Sequence, residues 1–319
     1  MTAAAPAPTA EELPAPESFH DVPGWFYNTD VVLFDWFLRR QEQQDVRGDL
    51  LEMGAYMGKS AILLRGYVRD DETFTVCDLF DSDAPDEHNE REMSGSYATL
   101  TRRSFEANFL SFHDELPRIV QAPTSVVPDE VKADSCRFVH VDASHLYEHV
   151  RPDIANARQV LSERGLVVLD DYRSTHTPGV ACATWQAVLE GGLKPICVSG
   201  NKFYGTWGDP RQLQDDLHAE LKKRGKFWLQ WQDVAGHRML LVGGRKAVPP
   251  EVPVSRHRPT PEQEKARKEA ARTAAAEKAA AKAAAARTPR ARLRKVALDV
   301  LPPVVTRAVV RARKRGRRS

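Results

Sequence analysis

The sequence predicts a doubly wound α/β sheet, and three observations carry the prediction. Short apolar runs at Leu50–Leu51, Phe74–Asp78, Phe138–Asp142 and Leu166–Asp170 read as compact buried strands, with runs of helical spacing between them. Three of these strands end in an aspartate, which places acids at the strand edge where open α/β sheets bind ligands. Between Leu51 and the apolar Ala61-Ile62-Leu63-Leu64 stands the glycine turn Glu52-Met53-Gly54-Ala55-Tyr56-Met57-Gly58-Lys59-Ser60. A strand, a glycine turn and a helix in that order build a nucleotide-sized site.

The elements follow in order. Asn28 to Gln44 spaces Val31, Val32, Phe34 and Leu38, with Trp36 and Phe37, as a helix packed on the sheet ahead of the first strand. In the glycine turn, Gly54 allows a sharp bend and Gly58 allows close packing of the first helical turn, with free N–H groups facing an anion. A Walker loop needs four residues before Gly-Lys-Ser, whereas only Ala55, Tyr56 and Met57 intervene here. A dinucleotide fingerprint needs Gly where Tyr56 stands. Glu52 suits an ammonium group, and a helix start capped by Ser60 suits a carboxylate, so the ligand end is expected to be an amino-acid headgroup. Asp78 closes the second strand about twenty residues beyond the glycines, where ribose hydroxyls find their acceptor.

Leu100 to Phe112 reads as a further helix, Tyr147 to Ser162 as an amphipathic one ended by Gly165, and Pro195–Val198 and Met239–Val242 as closing strands, with a third short one at Phe227–Trp231. Asp81 to Ser96 reads either as a lid or as an ordinary exposed loop.

The chemistry is expected where the fourth and fifth strands end. On neighbouring strands about 5 Å apart, Asp142, Asp170 and Asp171 converge, and carboxylates that close repel unless they share a hard cation such as Mg²⁺. The plainer readings are a helix cap at Asp142 and turn acids at Asp170-Asp171. His145 follows Asp142 by three residues and is the candidate base, the alternative being a surface or capping histidine. His149 shares its helix face, but the pair lacks the Glu or Cys that a zinc site needs. His140 alternates with Asp142 along the strand and reads as a buried neighbour.

These segments resemble the class I S-adenosylmethionine-dependent methyltransferases. E-M-G-A-Y-M-G-K-S-A is similar to the cofactor loop of catechol O-methyltransferases. D-A-S-H-L-Y-E-H-V, R-G-L-V-V-L-D-D-Y and T-P-G-V-A-C-A-T resemble successive segments of the macrocin-type, metal-dependent sugar O-methyltransferases, over roughly Trp25 to Gly244. The resemblance implies a Rossmann-like sheet with S-adenosylmethionine held by Glu52, Gly54, Tyr56, Gly58, Ser60 and Asp78. It also implies Mg²⁺ on Asp142, Asp170 and Asp171. His145 stands where the catechol enzymes carry a catalytic Lys, so the base is His145 or Asp142. The implied reaction is methyl transfer to a hydroxyl of a small molecule or sugar. A metal-dependent hydroxylase of the same fold, a non-catalytic module and, more weakly, an NTPase remain as alternatives.

Composition bounds the remainder. No apolar run approaches the roughly eighteen residues of a membrane span, and residues 1–19, rich in Ala, Pro and Glu, read as a disordered leader without the features of a secretion signal. The four cysteines lack C-x-x-C spacing, which fits reduced thiols and a cytoplasmic location. The net charge of +2 hides an asymmetry: residues 1–247 carry 26 Lys/Arg against 38 Asp/Glu, and residues 248–319 carry 20 against 6. The expected division is therefore a leader (1–19), a methyltransferase body (20–247) and a tail (248–319). The tail begins with a linker marked by Pro249, Pro250, Pro253, Pro259 and Pro261. Pro261 to Ala286 reads as a lone solvated helix. Beyond Thr288-Pro289, the residues Leu293, Val296, Val300 and Leu301 among Arg292, Arg294 and Lys295 read as a basic amphipathic anchor for an anionic membrane face, equally as a solubilising tail, and third as a nucleic-acid contact.

Overall fold

The computed structural model describes residues 14–96, 99–244 and 246–287. Among them, nine strands form one sheet: β1 (Asp49–Met53), β2 (Phe74–Asp78), β3 (Arg118–Gln121), β4 (Cys136–Val141), β5 (Leu161–Leu169), β6 (Lys194–Val198), β7 (Phe203–Thr206), β8 (Trp228–Val234) and β9 (His237–Gly243). Their spatial order is β3-β2-β1-β4-β5-β7-β6-β9-β8. The first five run parallel to one another, while β7 is antiparallel to both β5 and β6. This is a Rossmann-like, doubly wound sheet.

Side-chain alternation makes the two layers. Leu50, Val76, Phe138 and Val168 point to one core, with Phe34 and Leu38 of α1 (Asn28–Gln43), Ile62 of α2 (Lys59–Arg65), Phe105 of α4 (Arg102–Leu110) and Leu217 of α8 (Arg211–Arg224). Leu51, Cys77, Val139 and Val167 point to the other, with Val127 of α5 (Val127–Glu130), Ile154 of α6 (Tyr147–Val160) and Val180 of α7 (Pro178–Leu189). Each fully buried aliphatic or aromatic side chain contributes about 1.5–3 kcal/mol to the layer it joins.

β3 and β7 are absent from the sequence reading. Both are four residues long, and β7 carries Gly205 at its centre and Lys202 at its threshold, so neither shows a long apolar run. The stretch expected as a lid or loop contains α3 (Glu87–Ser96), started by Asp86, whose Oδ1 accepts from the N–H groups of His88 (2.9 Å) and Asn89 (3.0 Å).

The body is longer than its sequence bounds. Phe19, placed in the leader, is fully buried in a short turn that Ser18 and Asp21 close through two 2.8 Å hydrogen bonds. At the other end, Val252 packs on the core, Ser255 Oγ donates to Pro16 O (2.6 Å) and Arg256 N donates to Ser111 O (2.8 Å). The Pro-rich segment is thus laid on the body, and this compact unit ends at Arg258.

A second unit starts at Pro259 and contains α9 (Pro261–Arg287). Its start is a reciprocal cap, Thr260 N donating to Gln263 Oε1 (2.8 Å) and Gln263 N to Thr260 Oγ1 (3.3 Å). No helix of the described residues is long and apolar enough to cross a membrane. The amphipathic segment around Leu293 to Leu301 and the basic run to Arg318 lie outside the described residues.

Candidate active site

The strand order reverses between β1 and β4, and at the C-terminal ends of β1, β2, β4 and β5 a cleft of about 1230 Å³ opens. Gly54, Tyr56, Ser60, Asp78, Asp142, His145, Asp170 and Asp171 all line it. Three of its lining residues, Tyr56 (φ 48°), Phe80 (φ 51°) and Asp171 (φ 53°), hold left-handed backbone that non-glycine residues seldom adopt, and such strain collects where a site needs fixed geometry.

On the cofactor side, Gly54 has φ +83°, and a Cβ there would lie 2.2 Å from the Asp142 carbonyl oxygen. The glycine turn and the acid-bearing turn after β4 therefore touch backbone to backbone. Asp78 is the hub of the turn: its Oδ2 accepts from Ala55 N (2.6 Å) and Tyr56 N (3.2 Å), and its Oδ1 from Phe80 N (2.6 Å). Burial pushes the Asp78 carboxyl upward, against the three N–H donors that favour its charged form. The Tyr56 ring stacks on the exposed ring of Trp25, centroids 5.6 Å apart.

Three expected contacts are placed differently. Gly58, not Ser60, caps α2, with φ 90° and no room for a side chain beyond 3.0 Å from the Phe105 ring; Ser60 is the second residue of the helix. The reason is the positive φ, which only glycine adopts freely at this turn. Gly58 itself is not among the lining residues. Glu52 is fully buried and does not line the cleft; its Oε1 lies 2.7 Å from His140 Nδ1, its cross-strand partner in the sheet, and its Oε2 has no hydrogen-bond partner.

On the acid side, the residues gather into two groups whose ligand atoms lie within 4.8 Å of one another: His140, Asp142 and Asp170, and Asp142, His145 and Asp171. Asp142 is common to both. Burial and the neighbouring Asp170 carboxylate raise the Asp142 carboxyl well above its usual range, and the two carboxyls share a hydrogen bond. Burial would raise Asp170 too, but the Lys202 ammonium and the hydrogen bond with Asp142 together hold that carboxyl low. At Asp171 burial is likewise outweighed, here by hydrogen bonds from His145 and Ser174. His145 Nε2 sits 2.8 Å from Asp171 Oδ2, and His149 Nε2 sits 2.9 Å from Asp86 Oδ2, on the α3 side. Carboxyl oxygens pressed together need a proton or a cation between them, so the donor set fits a hard ion such as Mg²⁺.

Three site residues escaped the sequence reading. Lys202, fully buried, contacts Asp170 Oδ2, and Asn201 Nδ2 donates to Asp170 Oδ1 (2.7 Å). Their only signal was a Lys at the threshold of an apolar run, Asn201-Lys202-Phe203-Tyr204. Asp153, on α6, lines the cleft beside Thr124 with its Oδ2 unpartnered, and burial pushes its carboxyl up to about 6.

Residues 51–172, from β1 through the acids after β5, match the family described as Methyltransferase domain. That segment reads as a methyltransferase domain. No curated protein matches the chain. Among solved structures, the chain is similar to the O-methyltransferase NovP (22% identity, TM-score 0.48, 57% of this chain and 80% of that one). It is also similar to CalS11, a TDP-rhamnose 3'-O-methyltransferase of calicheamicin biosynthesis (19%, TM-score 0.38, 57% and 80%), and to the O-methyltransferase TomG from Streptomyces achromogenes (15%, TM-score 0.38, 59% and 83%).

Proposed function

We propose that this domain moves the methyl group of S-adenosylmethionine to a hydroxyl of a small molecule or sugar, with a hard divalent ion such as Mg²⁺ at the acid cluster. The observation that carries the reading is the His145–Asp171 pair, 2.8 Å apart, beside Asp142 in the same cleft as the glycine turn and Asp78. The cofactor's ribose falls to Asp78, and its amino-acid end to the turn at Gly54 and Tyr56. A bound divalent ion would lower the pKa of the acceptor hydroxyl. Asp171, accepting from His145 Nε2–H, orients the ring and leaves Nδ1 as its basic nitrogen; His145, or else Asp142, takes the hydroxyl proton. The oxyanion then attacks in line, its O–C bond forming as the S–C bond breaks, and S-adenosylhomocysteine departs. Because the sulfonium charge vanishes in that step, a drier cleft favours it, and α3, which contributes His88, Asn89 and Arg91 to the wall, acts as the cover. Thr177, Pro178 and Gly179 of the T-P-G-V segment line the cleft, which supports an acceptor on that side.

The discriminating experiment is incubation with methyl-labelled S-adenosylmethionine and an extract of small hydroxylated metabolites, followed by mass spectrometry and an oxygen electrode. Label on an acceptor oxygen with release of S-adenosylhomocysteine is expected. Oxygen uptake without consumption of S-adenosylmethionine would establish the hydroxylase instead.

For the tail, the proposal is a cytoplasmic tether to the anionic inner membrane face, supported by the 20 Lys/Arg against 6 Asp/Glu of residues 248–319. Each basic residue near such a surface adds about 1 kcal/mol. Deleting residues 259–319, outside the compact body, should leave the body folded and abolish co-sedimentation with anionic vesicles. Neutral vesicles should bind neither form. Absence of binding by the full chain would leave a solubilising tail, and preference for nucleic acid would replace the membrane.

A further inference from the structure

Lys202 is used by none of the steps above, yet it is 1% exposed in the middle of the acid cluster. Its Nζ contacts Asp170 Oδ2 and lies 3.2 Å from His140 Nε2, while the Phe26 ring centroid stands 5.5 Å away. Asp30 and Asp142 also face it. With the ammonium donating to Nε2, the His140 ring carries its proton on Nδ1 and passes it toward Glu52 Oε1 at 2.7 Å. A buried chain of Glu52, His140, Lys202 and Asp170 therefore runs beneath the cleft floor.

Asp170 is correspondingly taken up by the protein. Its Oδ2 meets Lys202, and its Oδ1 accepts from Asn201 Nδ2 and from Asp171 N, each at 2.7 Å. The two groups of possible ligands consequently differ in kind. His140, Asp142 and Asp170 close around an ammonium, and the Asp170 side chain is only 6% exposed; Asp142 (29%) and Asp171 (21%) open to the cleft beside His145. Among the possible ligands, the carboxylates of Asp142, Asp170 and Asp171 with the Lys202 ammonium leave two negative charges, the amount a divalent ion balances, while burial raises the Asp30 carboxyl behind them.

We propose that Lys202 is a resident cation and a positioning residue: it holds Asp170 permanently, and the exchangeable divalent ion is confined to the cleft-side pair, Asp142 and Asp171. This rests on the metal reading given above. It predicts that Asp170, although it ends a strand beside the other acids, is dispensable for holding the ion once its lysine is removed with it.

The test uses the full chain, stripped of metal, with Mn²⁺ as the probe and electron paramagnetic resonance of free Mn²⁺ as the readout. The paired variant Asp170→Asn/Lys202→Met removes both charges together and should bind Mn²⁺ within about threefold of the parent. Lys202→Met alone leaves three carboxylates unopposed and should bind at least about tenfold more tightly. Asp142→Asn should weaken binding at least about tenfold. If Lys202→Met does not fold, the paired variant still decides, since it removes one positive and one negative charge together. Loss of Mn²⁺ from the paired variant with an unchanged thermal melt would make Asp170 a ligand and overturn the proposal, as would unchanged affinity in a folded Lys202→Met. Binding by Lys202→Met but not by the parent would sink the metal reading and leave Lys202 as the cluster's own cation. Binding by neither would sink both.

Discussion

Asp142→Asn should abolish methyl transfer while S-adenosylmethionine still binds within a few-fold of the parent affinity. Excess chelator should do the same to the parent, reversibly, with Mg²⁺ expected to restore turnover. The expectation follows from the position of Asp142, the one carboxyl shared by both groups of ligand atoms and the one that burial and Asp170 hold above its usual range. A group so placed is poised to bind a cation or a proton, and an amide supplies neither charge nor basicity. His145→Ala should cut the maximal rate by about a hundredfold or more with cofactor and Mn²⁺ binding kept, the scale of a lost general base. If Asp142 is the base, His145→Ala will be mild while Asp142→Asn stays severe. Full activity of the parent in excess chelator would overturn the metal reading.

How much of this was legible in the sequence follows from which forces act locally. The central parallel strands β1, β2, β4 and β5 were legible because burial on both faces writes an uninterrupted apolar run, as in Leu166-Val167-Val168-Leu169, and because the strand ends put Asp78, Asp142 and Asp170 on one edge, whereas the half-exposed parallel β3 was not. Short β7 was not, since its pairing with β5 is antiparallel and non-local and Gly205 erases the pattern. Glu52 shows the same limit at a single residue. Its place before the glycines suggests a cofactor contact, but the register that pairs it with His140 turns it inward to a buried partner. Lys202 reads as a boundary residue in the chain and becomes interior only because Asp30, from α1, and Asp170, from the end of β5, close over it. The Pro-rich run after β9 looks like a free linker by composition, while Ser255 and Arg256 bind it to residues far away in sequence.

Gly54→Val and Asp78→Ala should each weaken S-adenosylmethionine binding at least about tenfold, for different reasons. At Gly54 the backbone has φ +83°, which valine resists, and the added Cβ would sit 2.2 Å from the Asp142 carbonyl oxygen, so the turn after β4 has to move. That displacement carries Asp142 with it, and this variant should therefore lose Mn²⁺ as well as cofactor. Asp78→Ala leaves the turn after β4 in place. It removes the acceptor of the Ala55, Tyr56 and Phe80 N–H groups together with the acceptor proposed for the ribose. The loss of one charged hydrogen bond to ligand is worth about 1.5–3 kcal/mol, which is ten- to over a hundredfold in affinity. Its Mn²⁺ affinity should stay close to that of the parent. Isothermal titration of both variants with S-adenosylmethionine, and resonance titration with Mn²⁺, separates the two effects: unchanged cofactor affinity in both would remove the turn and Asp78 from the cofactor site, and Mn²⁺ binding retained in Gly54→Val would show that the two turns move independently.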